Sequence, residues 1–191
     1  MIIKITDGDT SDWYVYHKSL GNTGIMFLSN ANAVSNSNAY WNSTTPTSSV
    51  FTVGDQTGNN SNNNTFISYN FAEVPGFSKF GSYTGNGNAD GPFVYTGFKP
   101  AFVLIKNSSQ NNGWWQMTDN ARNPFNVVEK AIFSNVTDSE YDSGNYATDF
   151  VSNGFKLRNS TAGSNVNGDV YIYMAFGQTI VGTNNIPNNA E

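Results

Sequence analysis

The chain has 191 residues, enough for one sizeable domain with a proper core. Charged residues make up only 12% and the net charge is −5, which leaves no basic footprint for nucleic acid and no basic patch for a membrane surface. With no cysteine, disulfides, thiolate catalysis and Cys-based zinc sites are excluded together.

No apolar run approaches about 18 residues and no signal-like segment opens the sequence, so neither membrane insertion nor self-directed secretion is expected. Aromatic residues reach 15% and fall in short runs, which is ample material for a core, and the abundant Asn, Ser, Thr and Gly belong to loops. In chain order, residues 1–5 read as a short apolar strand, 6–12 as a turn and 13–17 as a second strand. Asp7, Asp9 and Ser11 have the alternate spacing of a calcium loop. Asp12 stands where such a loop needs glycine and Lys18 where it needs glutamate, so a solvated turn without metal is expected.

A strand at 25–28 leads into a long polar segment, 29–49, where Pro46 excludes a central strand. Strands at 50–53 and 65–71 flank the run GNNSNNN at 58–64, which reads as an exposed hairpin loop. Residues 76–98 form a connection rich in Gly and Asn, where Gly85, Gly87 and Gly91 alternate with Asn86, Asn88 and Asp90 and predict several tight turns. Beyond it come strands at 102–105, 114–117, 131–133, 149–151, 155–157 and 170–174, with material for one helical turn at 123–130.

The two sides of the connection look like copies of one unit. TFISYNFA at 65–72 aligns with VYIYMAFG at 170–177, Phe27 with Ile132, Trp13 with Trp114 and Ile3-Lys4 with Ile105-Lys106. Each offset is roughly a hundred residues, beyond the ~20–50-residue period of solenoids, so this is a duplicated half and not an array. Short strands between Gly- and Asn-rich turns predict an all-β antiparallel sandwich of jelly-roll or concanavalin-like form. It is expected as one domain over 1–191, with internally similar halves at about 1–75 and 99–182. Phe71 falls on Phe176, and both are expected to face inward.

Catalytic patterns are absent. His17 is the single histidine, no GxxxxGK[ST] loop occurs, and the GNGNAD run at 85–90 lacks the helix a dinucleotide site requires. Glu73, Asp90, Asp119, Glu129, Asp138, Glu140, Asp142 and Asp149 offer carboxylates for glycoside hydrolysis, but none stands in a recognisable motif. No catalytic residue, cofactor or metal is assigned, and these acids read as solvated surface charges. Asn-x-Ser/Thr triplets at Asn42, Asn63, Asn107, Asn135 and Asn159 are expected by chance in so polar a chain. Trp41, Tyr83, Trp115 and Tyr141 lie in or near polar loops beside Asn and Asp, the pairing by which lectins stack on a sugar and fix its hydroxyls. The same rings have a second reading, as seals at the ends of the sandwich or in a subunit interface. The segment at 82–92, with Tyr83, Asn86, Asn88 and Asp90, is either a special connection between the halves or a binding site.

The run GFSKFGSYTGNGNADG at 76–91, followed by FVYTGFKPAFVLIK at 93–106, resembles a family of structural proteins of marine bacteriophages, notably those infecting cyanobacteria and other ocean bacteria. SNGFKLR at 152–158, YIYMAF at 171–176 and VGTNNIP at 181–187 are similar to the same family. The resemblance implies a concanavalin-like sandwich on the virion, at the end of a tail fibre or a capsid appendage, with no catalytic residue. Its partners would be other virion proteins and a host surface glycan, its location the virion, and its assembly a homo-oligomer, with a trimer as the leading form. A decoration protein that acts only by docking on the capsid is the alternative, and a polysaccharide-degrading enzyme a more distant one.

Overall fold

A computed structural model of the chain describes residues 1–7, 11–111 and 113–178. The first half gives Ile2–Ile5 (β1), Tyr14–Val15 (β2), Gly24–Phe27 (β3), Ser35–Asn36 (β4), two single-turn helices, Asn38–Trp41 (α1) and Thr57–Asn60 (α2), and Phe66–Tyr69 (β5). The connection contributes Ser78–Thr84 (β6) and Phe93–Tyr95 (β7). The second half gives Pro100–Asn107 (β8), Gln116–Asp119 (β9), Lys130–Phe133 (β10), Tyr141–Asp142 (β11), Thr148–Val151 (β12), Gly154–Leu157 (β13) and Val170–Gly177 (β14).

These strands build an all-β antiparallel sandwich whose halves repeat one strand order. The first half forms a five-stranded sheet, β4-β3-β2-β1-β5, and the second a six-stranded sheet, β11-β10-β9-β8-β14-β6. Removing β6 leaves the same order in both. The registers also agree: Lys4 pairs with Ile67 and Lys106 with Ile172. Ser37 and Ser143 each cap the short helical turn that follows the fourth strand of their half.

The ladders correct the sequence alignment by one residue at the second and third strands. Tyr14 pairs with Ile3 and with Phe27, and Gln116 with Ile105 and with Phe133. Trp13 therefore corresponds to Trp115 instead of Trp114, and Phe27 to Phe133. Hydrogen bonds agree, because Leu28 N–H donates to the Trp13 carbonyl and Ser134 N–H to that of Trp115. Side chains alternate along a strand, so a slip of one residue exchanges the core-facing and outward positions.

The two large sheets pack with equivalent faces against each other. Ile2, Val15 and Met26 of the first meet Leu104, Met117, Ile172 and Met174 of the second. On the far face of the second sheet lies a third sheet, β12-β13-β7, and Val94, Phe150, Phe155 and Leu157 pack there on Val103, Ile105, Tyr171 and Tyr173. On the far face of the first sheet, Trp41, Tyr40 and Val53 cover Ile3, Tyr14 and Ile25. Lys106 ties the halves together: its Nζ donates to the carbonyls of Ala31 (3.3 Å), Asn32 (2.9 Å) and Asn107 (2.8 Å) and lies 6.0 Å from the centre of the Trp115 ring. Burial brings this amine down to about 8.

Several expectations change. The polar segment 29–49 holds β4 and the helix α1, and residues 50–53 form no strand. The run at 58–64 is not a wholly exposed hairpin: α2 takes its first residues and buries Asn59, whose amide donates to the Tyr40 carbonyl. Residues 123–130 hold no helix, since Val128 bridges to Thr148 instead. Phe71 lies outside the core, 44% exposed, although its ring meets that of Phe176 at 5.8 Å. The chain leaves the sheet after Tyr69, so Phe71 has no ladder to hold it inward, whereas Phe176 pairs with both Phe102 and Ser78. Phe155→Ala is expected to cost ~3–5 kcal/mol and Phe71→Ala about 1 kcal/mol or less. Chemical denaturation of the two variants measures the difference.

Candidate binding site

The segment at 82–92 spends its polar groups on itself and its neighbour. Tyr83 stacks on Tyr171 at 5.2 Å and 12°, packs against the core and donates its hydroxyl to the Ser164 carbonyl at 2.7 Å. Burial holds that phenol well above its ordinary value. Asn86 Oδ1 accepts from Asn88 N–H and Asn88 Oδ1 from Asp90 N–H, successive Asx turns that wind the chain tightly. Asn165, buried, closes the system. Its Oδ1 accepts from Asn86 N–H, and its Nδ2 donates to Asn86 Oδ1 and to the carbonyls of Asn88 and Asn159.

Asp90 is exposed and bridges Lys156 (2.8 Å) and Arg158 (3.2 Å). The hydrogen bond from Lys156 is the main reason its carboxyl lies below the usual range. A Cβ on Gly85 would stand 2.2 Å from the Val166 carbonyl oxygen, so only glycine lets the strap lie against 165–166 at that point. Of the two expectations for this segment, these bonds favour the connection.

Two of the expected binding rings are core residues. Trp41 and Trp115 are buried and donate their indole N–H to the carbonyls of Gly24 and Phe27, at 2.9 and 2.8 Å. Neither has a free face on which a sugar stacks. Trp41 ends a one-turn helix set in a long polar run, so its surroundings in sequence look like an exposed loop. Tyr141 packs among Trp114, Phe133 and Tyr146 and donates its hydroxyl to Asp138.

A cleft of about 360 Å³ opens instead at the seam of the two large sheets, within the range of small-molecule sites. Its floor is Ile2, Val15, Phe80 and Met174 from both halves, and its walls carry Phe51, Phe71, Asn70, Ser48 and Ser49. Phe51 is 39% exposed. Among the described residues, the Asn70 amide nitrogen and the hydroxyls of Ser48 and Ser49 have no hydrogen-bond partner within the chain. Sequence reasoning missed this cleft because its parts are scattered from 1 to 174. Val50-Phe51, an apolar pair at the end of a polar run, is the available signal, and it suits a strand equally well.

The charged groups at the cleft are internally satisfied. Glu73 accepts from Lys18 (2.5 Å) and from Phe80 N–H (3.1 Å), with Lys79 at 3.5 Å. Partial burial raises its carboxyl, and these donors outweigh that and hold it below the ordinary range. His17 Nδ1 accepts from Ser19 N–H, so Nε2 carries the proton and donates to the Tyr173 carbonyl at 3.1 Å. Burial brings this imidazole down to about 4.

At the loop with calcium-like spacing, Asp9 lies outside the described residues. Asp7 accepts from Thr65 N–H, and Lys4 Nζ donates to the Ser11 carbonyl. Among the described residues no cluster of three His, Asp or Glu is placed to hold a metal.

Residues 1–179 match the family described as a domain of unknown function, DUF7483. The chain belongs to that family. Neither a curated protein nor a solved structure matches it. The DUF7483 match runs through both halves, the connection and every residue of the seam cleft, so the cleft belongs to the family's common span and not to an appended segment.

Two measurements check this description. His17 has a folded value of about 4 against an ordinary 6.5, so between those values the unfolded chain binds more protons and folding weakens as pH falls. The expected loss is up to about 3 kcal/mol across that window. Urea denaturation at a series of pH values reads it, and His17→Gln is expected to flatten the dependence. Asn165→Ala leaves the polar groups of the 82–92 strap unpartnered and is expected to cost about 2–3 kcal/mol, more than Asn88→Ala.

Proposed function

We propose that this protein is a non-enzymatic module of a bacteriophage virion surface, on a tail fibre or appendage, which takes a neutral host glycan in the seam cleft. One observation carries the reading. Two half-exposed rings, Phe51 and Phe71, share the cleft with the Asn70 amide nitrogen and the hydroxyls of Ser48 and Ser49, which have no partner among the described residues. Rings that stack on the apolar face of a sugar, beside neutral groups that hydrogen-bond its hydroxyls, are what such a ligand requires. The charged side chains that line the cleft, Lys18 and Glu73, pair with each other, which favours an uncharged ligand over an ionic one. The virion setting rests on the sequence resemblance.

The geometry supports binding over hydrolysis. Glycosidases work with two carboxyl groups ~5–9 Å apart. Glu73 is the acid that lines the cleft, and it is held ionised by its lysines. Asp90 and Asp149 are engaged by Arg158, and Asp119 and Glu140 by Arg122. His17 has both nitrogens occupied.

A second reading, docking on other virion proteins, is favoured by the outer face of the small sheet. Phe93 and Tyr95 stand exposed there, opposite Lys156 and Gly154. The Phe93 ring lies over Gly154, where a Cβ would come within 2.9 Å of it, and the two exposed rings stand beside the Lys156–Asp90 ion pair.

Glycan-array binding by the isolated protein separates the two. Phe51→Ala and Phe71→Ala are expected to weaken glycan binding at least tenfold with little change in melting temperature, while Phe93→Ala and Tyr95→Ala leave it intact. Glycan binding unaffected by the cleft substitutions would overturn the assignment of the cleft.

A further inference from the structure

The edge of β5 is built to receive a strand. In the second half the equivalent strand, β14, carries β6 on this side through seven antiparallel pairs, from Val170 with Thr84 to Phe176 with Ser78. Among the described residues, the sheet of the first half ends at β5. No residue of β5 is buried, whereas β14 buries five in succession.

Edge strands are ordinarily protected by charge, proline, glycine kinks or brevity. The other edges have such protection: β4 and β11 are two residues long, β6 carries Lys79 and Gly81, β12 carries Asp149, and β7 is three residues behind Pro92. Around β5 the run TFISYNFA, residues 65–72, contains no charged residue, proline or glycine. Ile67 and Tyr69 are 39% and 43% exposed on one face, and Tyr69 stacks on Trp13.

The hydrogen-bond phase identifies the occupant. Tyr16 N–H donates to the Met1 carbonyl, so alternate residues of β1, starting from residue 1, direct their backbone groups at β2. Ile2 and Lys4 therefore bond to their partners Tyr69 and Ile67, and Thr6 N–H donates to the Thr65 carbonyl in the same phase. That leaves the N–H and C=O groups of Phe66, Ser68 and Asn70 directed at the open edge. These three are symmetric about Ser68.

We infer that β5 pairs antiparallel with β5 of a second copy, across a twofold axis at Ser68, to join two five-stranded sheets into one. In this register Ser68 meets its own copy and Phe66 meets the partner's Asn70, so all three free residues of each strand are bonded. Ile67 faces the partner's Tyr69 twice, a β-branched residue against an aromatic, and no charge opposes another. The interface is isologous and closes at two copies, in place of the threefold assembly that the resemblance implies.

Light scattering and sedimentation equilibrium from low to high micromolar protein test this. The expected result is twice the chain mass for the wild type, and a monomer of unchanged melting temperature for Ile67→Lys combined with Tyr69→Lys. Because the chain has no cysteine, Ser68→Cys is expected to form a covalent dimer on oxidation, since bonded antiparallel pairs lie ~5.5 Å apart at Cα, within disulfide reach. Ser82→Cys, exposed on β6, serves as the control and is expected to stay uncrosslinked. A monomeric wild type at every concentration, a threefold mass, a dimer that survives the two lysines, or equal cross-linking through Ser82→Cys would each overturn the inference.

Discussion

The structure depends on β14 being held on four sides at once. It hydrogen-bonds to β8 along one edge and β6 along the other, and its faces alternate between two cores. Tyr171, Tyr173 and Ala175 meet the small sheet, while Ile172 and Met174 meet the five-stranded sheet. A strand so placed has no solvent face, which is why VYIYMAFG reads as a continuous apolar run and not as an alternating one. It separates the two outer layers, and its Met174 lines the seam cleft together with Ile2 and Val15 of the first sheet.

The equivalent faces of the two halves meet, much as two copies of one subunit meet in a symmetric dimer. The connection breaks this symmetry. It adds β6 to one sheet and β7 to the small sheet, so the second half is enclosed and the first is left with an open edge and a thinner cover of α1, α2 and turns. The polar strap at 82–92 is the structural cost of that asymmetry: a chain crossing from the large sheet to the small one turns repeatedly, and Asn86, Asn88 and Asn165 bond the backbone that no ladder can reach.

The fold was largely legible because it is written twice. Apolar runs located the long strands, and the matching of 65–72 with 170–177 carried the register of the fifth strand of each half. The alignment slipped at Trp13 because Trp114 and Trp115 are adjacent and letters alone do not say which one faces the core. β6 was hidden by the glycines of SKFGSYTG, where Gly81 lies under the Tyr173 ring and a Cβ would come within 2.9 Å of it. The binding rings were least legible. Trp41 and Trp115 are deeply buried although each follows a polar stretch of sequence, and the cleft is made of residues that only the meeting of two sheets brings together.

The pairing of charges described at the cleft recurs over the surface. Glu73 with Lys18, Asp90 with Lys156, Asp149 with Arg158, and Arg122 with Asp119 and Glu140 each close within a few ångströms. Neutralised this locally, these pairs project little field past a Debye length, ~8 Å at physiological ionic strength. A neutral partner approaching this protein is not steered, so its encounter runs at the uncharged pace of ~10⁵–10⁶ M⁻¹s⁻¹ and is set by shape and orientation. Recognition of that kind works at the same speed in dilute buffer and in brine.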